Sequence, residues 1–228
     1  MQLPPYEIKG KYKIENQFLF PTALFQIEID DVDNELLTEN AYKLYESEDG
    51  GIKVSNSGGW HSNFYNFNDE NFKYFEPLTS KFQYILPDLP FTPSITGIRE
   101  MNIWFNLNRK GNTHKRHNHI NSDFSGVYYV KIPEEIDTGG KEQHIGIDNQ
   151  KISVPKKDDC GNIRFFDPRQ SISYGNYYYM SRYHTGWDTQ RMPVEGTMFI
   201  FPSALEHEVL PNSTDEDRIS ISFNLILQ

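Results

Sequence analysis

The chain has 228 residues, with 22 Lys or Arg against 32 Asp or Glu for a formal charge of −10, and 14% of it is aromatic. That length suits one globular domain, and an acidic balance with no cationic stripe argues against nucleic acid, whose phosphates are bound through many Lys and Arg contacts. No run approaches the ~20 apolar residues of a membrane-spanning helix, and Met1–Lys13 lacks the apolar stretch of a secretory leader. The single cysteine, Cys160, excludes an intramolecular disulfide framework and a CxxC zinc site. The expectation is a cytoplasmic protein in which any metal is held by histidines and carboxylates.

In chain order, Gln17–Ile29 alternates toward its end and predicts a strand. Asp33 is placed to cap a helix whose Leu37, Ala41, Leu44 and Tyr45 recur at three-and-four spacing. A second helical face runs through Phe72, Phe75, Leu78, Phe82 and Ile85, with Pro77 expected to kink or restart it. Residues 1–93 are thus read as a strand and helices packing on a core, and 94–228 as that core. There the pattern becomes short strands, ITGIREMNIWFNL, SGVYYVKI, NIRFFD, GTMFIFP and RISISFNLIL. With no strong helix between them they favour an antiparallel sandwich or barrel.

GxGxxG, GxxxxGK[ST] and GxSxG are all absent, so nucleotide-cradling and serine-hydrolase chemistry lose their usual support. Gly139-Gly140-Lys141 reads as a turn, and Asn212-Ser213-Thr214 as a polar turn after Pro211. Gln170–Arg191 is rich in tyrosine and lacks a clean period. It is expected as an insertion over the barrel mouth, with Tyr179 and Trp187 closing on a substrate or burying a homodimer contact.

The histidines carry the chemical signal. His117-Asn118-His119 follows a polar turn, Asn108–Arg116, and residues two apart at a strand edge point to the same side, so both imidazoles can address one ion. His207 lies after the apolar run GTMFIFPSALE, where it meets the HxH pair if the sheet rolls up. Three ligands on one face leave positions open for a bidentate co-substrate and dioxygen, as non-haem iron chemistry needs. Asp123, four residues past His119, is an alternative carboxylate ligand. Arg218 begins an alternating strand and can point inward to clamp a carboxylate, or it can pair with Asp215, Glu216 or Asp217. Trp104 and Asn106 share one face of the preceding strand and are expected as co-substrate contacts, where Asn106 could donate to a bound acid or to the substrate. Arg169, after Asp167-Pro168, is either a substrate contact or a surface ion pair. His114, His144 and His184 are expected in solvent, and His61 at a pocket rim.

The order of strand, HxH, YYV, glycine before an apolar strand, His207-Glu208-Val209 with Pro211, and Arg218-Ile219-Ser220 resembles the iron(II)/2-oxoglutarate-dependent dioxygenases. The run from WFNLNRKGNTHKRHNHINSDFSGVYYV to GTMFIFPSALEHEVLPN, with Gly58-Gly59-Trp60-His61-Ser62, is similar to a bacterial and phage group of 2-oxoglutarate-Fe(II) oxygenases. The resemblance covers about residues 55–225. It implies a mainly β double-stranded β-helix, or jelly-roll, with a few buttressing N-terminal helices. It further implies Fe(II) on His117, His119 and His207, and 2-oxoglutarate held by Arg218 and Tyr129. Dioxygen completes a reaction that hydroxylates a C–H bond of a small molecule, amino acid or peptide side chain, releasing succinate and CO2. His119 departs from the usual pattern, in which a carboxylate stands at that position. Two rivals remain open at this level. One is a non-oxidative cupin-type metal protein, since three histidines also suit zinc; the other is a binding protein with a vestigial site.

Overall fold

The computed structural model describes residues 22–89, 96–136, 160–169 and 188–228 in full and the backbone of 142–144 and 151–153. Strands β1 (Phe25–Glu28), β2 (Asn56–Ser57) and β3 (Trp60–His61) come from the N-terminal part, with helices α1 (Asn34–Ser47), α2 (Glu76–Thr79) and α3 (Phe82–Asp88). Then follow β4 (Ile98–Asn108), β5 (Thr113–His117), β6 (Phe124–Lys131), β7 (Glu142–His144), β8 (Lys151–Ser153) and β9 (Ile163–Phe166). The chain closes with β10 (Asp188–Arg191), β11 (Thr197–Pro202), β12 (His207–Val209) and β13 (Arg218–Leu227).

The strands form a six-stranded sheet, β1-β11-β6-β13-β4-β3, a five-stranded sheet, β10-β9-β12-β5-β2, and a β7-β8 hairpin, and the ladders among them are antiparallel. β13 sits inside the larger sheet between β4 and β6. One face carries Ile219, Ile221, Phe223 and Leu225, together with Ile103, Phe105, Leu107, Tyr128, Met198 and Ile200 of neighbouring strands, all packed into one core with the helices. Each such side chain contributes about 1.5–3 kcal/mol by leaving water. Gly126 lies opposite Phe223 in the ladder, and a Cβ there would stand 2.2 Å from the Phe223 ring, so only glycine lets the ring cross β6. The other face of the same strands looks toward the smaller sheet and lines a cavity.

Helix α1 forms as its spacing predicts. The Asp33 carboxylate accepts the Leu36 N–H at 2.9 Å, and Leu37, Ala41 and Leu44 are buried. The second helical face is cut into a 3-10 turn over Glu70–Phe75 followed by α2 and α3. Pro77 sits in the first turn of α2, where its missing N–H costs nothing, so it starts a helix rather than kinking one.

Three features depart from the expectations. The 1–93 stretch supplies edge strands to both sheets, so it is part of the sandwich as well as its buttress. β5 forms where a polar turn was expected, and β10 occupies the last four residues of the expected insertion. Both are polar throughout, THKRH and DTQR, so no apolar alternation marks them. The Asn212–Thr214 turn has both ends buried and Ser213 exposed: Asn212 donates to the carbonyls of Asn108 and Glu216, and accepts from the Thr214 N–H and hydroxyl. It pins the loop that precedes Arg218.

Candidate active site

β12 lies between β9 and β5, with His207 directly opposite His117. His119 follows β5 and is anchored by its N–H to the Ser203 carbonyl at 2.8 Å. The three imidazoles converge, with ring centroids 4.4–5.4 Å apart and one potential ligand atom from each lying within 4.8 Å of the others. Backbone carbonyls orient two of them. Nδ1 of His117 lies 2.6 Å from the Lys115 oxygen and Nδ1 of His207 lies 2.9 Å from the Leu205 oxygen. A carbonyl only accepts, so Nδ1 carries the proton in each and Nε2 is left as the ligand atom. The Asn224 amide, 3.4 Å from Nδ1 of His119, braces the third ring and also accepts from Ser125.

Burial keeps these rings neutral, the form a metal needs. His207 is held down to about 3 by desolvation and the nearby His117, and His119 to about 4 by desolvation with His117 and His61. His117 is lowered for the first of these reasons. The donor set therefore fits a divalent ion such as Fe(II), which accepts imidazole readily. Asp123 is committed elsewhere: its Oδ2 accepts the Leu227 N–H at 2.8 Å.

Arg218 opens β13 opposite Asn108 and is 2% exposed. It donates to the Gly161 carbonyl at 2.6 Å and to Oδ1 of Asn108 at 2.9 Å, while its Nε has no partner. Gly161 turns through φ +67° to present that carbonyl. The neighbouring acids point away: Asp215 pairs with Lys110, and Asp217 with Arg109 and Tyr42. Among the described residues no carboxylate neutralises this buried cation, although burial presses it toward the neutral form. Tyr129 faces the same way, opposite Ser220 and itself 2% exposed; burial raises its phenol, and the Arg218 charge opposes that. Tyr128 points to the other face and donates to Asn34.

Trp104, Asn106, His117, His119, Tyr129, His207 and Arg218 all line one cavity between the sheets, joined by His61, His114 and Asn224. Asn106 donates to Ser222 at 3.0 Å, leaving its Oδ1 buried without a partner. His114 is buried rather than in solvent, contacting Ser55 and Asn108. The register shift in the β5–β12 ladder pairs Val209 with His114, and His114 lines the cavity along with His117. Arg169 forks onto Asp167 at 2.9 and 2.7 Å and is half exposed. Tyr179, Trp187 and His184 lie outside the described residues, as does the side chain of His144. The missed residues on β13, Ser220, Ser222 and Asn224, carried a legible signal: they are the polar half of RISISFN.

Comparison with known proteins agrees with this geometry. A protein-family model described as "Putative 2OG-Fe(II) oxygenase", where 2OG is 2-oxoglutarate, matches residues 102–224, more than half of the chain. A search of curated proteins finds no match. Solved structures of similar fold include a prolyl-4-hydroxylase from Pseudomonas putida, at 16% identity and TM-score 0.53, covering 91% of this chain and 94% of that one. A prolyl hydroxylase from Trichoplax adhaerens, in complex with a hypoxia inducible factor peptide fragment, shares 13% identity at TM-score 0.53 over 89% of this chain and 83% of its own. A viral collagen prolyl hydroxylase of Paramecium Bursaria Chlorella virus-1, in a 2OG complex, shares 11% identity at TM-score 0.50 over 89% and 94%. At these identities the structures show the fold, a jelly-roll; the family match shows the rest. This chain belongs to the 2OG-Fe(II) oxygenase family and is an iron- and 2-oxoglutarate-dependent enzyme rather than a non-oxidative metal jelly-roll.

Proposed function

We propose that His117, His119 and His207 hold the Fe(II), that Arg218 with Tyr129 binds the distal carboxylate of 2-oxoglutarate, and that the enzyme hydroxylates a C–H bond of a small molecule, amino acid or peptide side chain. The observation that carries this reading is Arg218: a guanidinium 2% exposed, with an unpaired Nε and no carboxylate partner among the described residues. A buried cation calls for a counter-charge, and since no Asp or Glu among the described residues lines this cavity, the carboxylate of the co-substrate is the one proposed to supply it. Asn106 supports it further. Its Ser222 partner is a hydroxyl that either donates or accepts, so the amide can turn over and offer its NH2 to a carboxylate.

When bound, iron with 2-oxoglutarate and dioxygen supplies the oxidant for C–H cleavage, with succinate and CO2 released. The protein's own share is positional. The Lys115 and Leu205 carbonyls fix the imidazoles of His117 and His207, and Asn108 and Gly161 aim Arg218. The chain is read as one catalytic domain, 1–228. Its acidic balance supports a small-molecule or peptide substrate over nucleic acid. The free, buried Cys160 supports a reducing, cytoplasmic setting. Among the described residues no helix is long and apolar enough to cross a membrane. The tyrosine-rich stretch proposed as lid or homodimer contact lies outside the described residues.

The test is an anaerobic titration of metal-free protein with Fe(II) and then 2-oxoglutarate, following the visible charge-transfer band of the chelate. A band that is lost in His207→Ala and weakened in Arg218→Ala is expected. Folded protein that gives no band, or a band indifferent to Arg218→Ala, overturns the assignment of these residues.

A further inference from the structure

One wall of the cavity carries none of the three ligand histidines, nor Arg218 or Tyr129. β3 sets His61 opposite Asn106, and the His61 ring lies flat on Trp104, with centroids 5.2 Å apart and planes at 9°. Phe64 stands edge-on to both, at 5.1 Å from His61 and 5.0 Å from Trp104. Trp104 is in turn 6.0 Å from His119, so this aromatic wall adjoins one of the three imidazoles.

His61 is 3% exposed, yet one of its nitrogens is idle. Nδ1 lies 2.6 Å from the Ser62 carbonyl oxygen, which can only accept, so Nδ1 holds the proton. Burial disfavours a second proton on the ring. Nε2 is then a lone-pair acceptor without a partner among the described residues, on a ring that lines the cavity. Facing the cavity, that lone pair is open to a donor on an incoming molecule.

Charge narrows what that molecule can be. Among the described residues no Asp, Glu or Lys lines the cavity, while Arg218 does. With the site loaded, the divalent metal and Arg218 outweigh the two carboxylates of 2-oxoglutarate, so a cationic group would enter an uncompensated positive field. The approach is apolar: Phe64 and Val54 line the cavity and are 45% and 62% exposed.

We propose that His61, Trp104 and Phe64 form the primary-substrate wall, and that the group entering it is uncharged and carbon-rich with one hydrogen-bond donor, an amide N–H or a hydroxyl, accepted by His61 Nε2. The carbon skeleton packs on Trp104 and Phe64, and the donor fixes its rotation beside His119. Free amines and ammonium-bearing side chains are excluded as the entering group; the amide of a peptide or a hydroxylated small molecule fits. The proposal rests on the oxygenase site assigned above and narrows its substrate.

The test uses three probes of one ring size, benzamide, toluene and benzylammonium, added to the full chain loaded with Fe(II) and 2-oxoglutarate without oxygen. Binding is read by ligand-observed NMR, and the charge-transfer band is recorded on the same samples. Benzamide is expected to bind about tenfold more tightly than toluene, a 1.4 kcal/mol difference, with benzylammonium weakest. His61→Phe keeps a ring on Trp104 but removes the acceptor, and should bring benzamide down to toluene with the band unchanged. Phe64→Ala, at a half-exposed position that tolerates truncation, should weaken benzamide and toluene alike. Benzylammonium binding as tightly as benzamide, or an unchanged benzamide-to-toluene ratio in His61→Phe, overturns the wall while a normal band leaves the iron site standing. Absence of the band in the wild type overturns the site assignment, and the substrate wall with it.

Discussion

Along β13, Ile219, Ile221, Phe223 and Leu225 are fully buried against helices and apolar strand neighbours, while Arg218, Ser220, Ser222 and Asn224, each one residue away, turn to the cavity. The first set packs mainly on carbon, with Phe223 also reaching the cavity lining; the second faces hydroxyls, amides and imidazoles. A single backbone thus serves stability on one side and binding on the other. The division is enforced, because a one-residue slip in register would put Arg218 into the helix-side core and the isoleucines into the cavity. It also means that the two functions should separate under mutation.

The largest effect is expected on the helix side. Phe223→Ala removes a ring packed over Gly126 and edge-on to Phe82 at 4.9 Å. It should cost about 3–5 kcal/mol in denaturant unfolding, a large share of a typical domain's stability. Arg218→Met should do the reverse: an apolar side chain of similar length fills the buried volume, so the melting temperature stays within a few degrees. Affinity for 2-oxoglutarate should fall at least about a hundredfold, near 3 kcal/mol, as for removing one partner of a buried charge pair. Calorimetry that found the two variants equally destabilised would break the comparison.

A pH titration of stability sharpens it. His114 is buried on the cavity side, and its pKa lies well below the ordinary 6.5 through desolvation and the nearby Arg218. Below pH 6.5 the unfolded chain takes up a proton that the folded chain refuses, so stability is at its plateau above 6.5 and falls on acidification. The slope is about 1.4 kcal/mol per pH unit for a fully buried histidine. Melting curves between pH 7 and 5 should show this loss together with that of the buried His61, His117, His119 and His207, and His114→Gln should reduce the slope by about one histidine's share; an unchanged slope would place the proton uptake on the others alone. The smallest effect belongs to Ser222→Ala, expected to change stability by less than about 1 kcal/mol. By freeing the Asn106 amide it should lower 2-oxoglutarate affinity a few-fold, measurable by the same anaerobic titration.

The legible parts of this molecule are those with long periods. α1 with its Asp33 cap and strands β4, β6, β11 and β13 follow from spacing, because six or more positions average out individual exceptions, and the four-residue β9 follows from its apolar run. The RISISFN alternation even contained the two faces of β13. The short strands β2, β3, β5, β10 and β12 were hidden, and three of them matter most: β5 and β12 bring His117 and His207 face to face, and β3 carries His61. His114 was misplaced for a related reason, since no local pattern announces the register shift opposite it.

Residue chemistry and order along the chain determined the class of this protein: an antiparallel sandwich, a three-histidine set and a late arginine, with the family likeness those residues carry. Only tertiary structure decided which groups meet. Asp215, Glu216 and Asp217 were the nearest carboxylates to Arg218 in sequence, yet strand pairing turned its guanidinium inward to Gly161 and Asn108, and left Asp215 with Lys110 and Asp217 with Arg109 and Tyr42. Side-chain direction on a strand is set by the pleat and by which face finds a core, and that is settled by partners far along the chain rather than by adjacent residues.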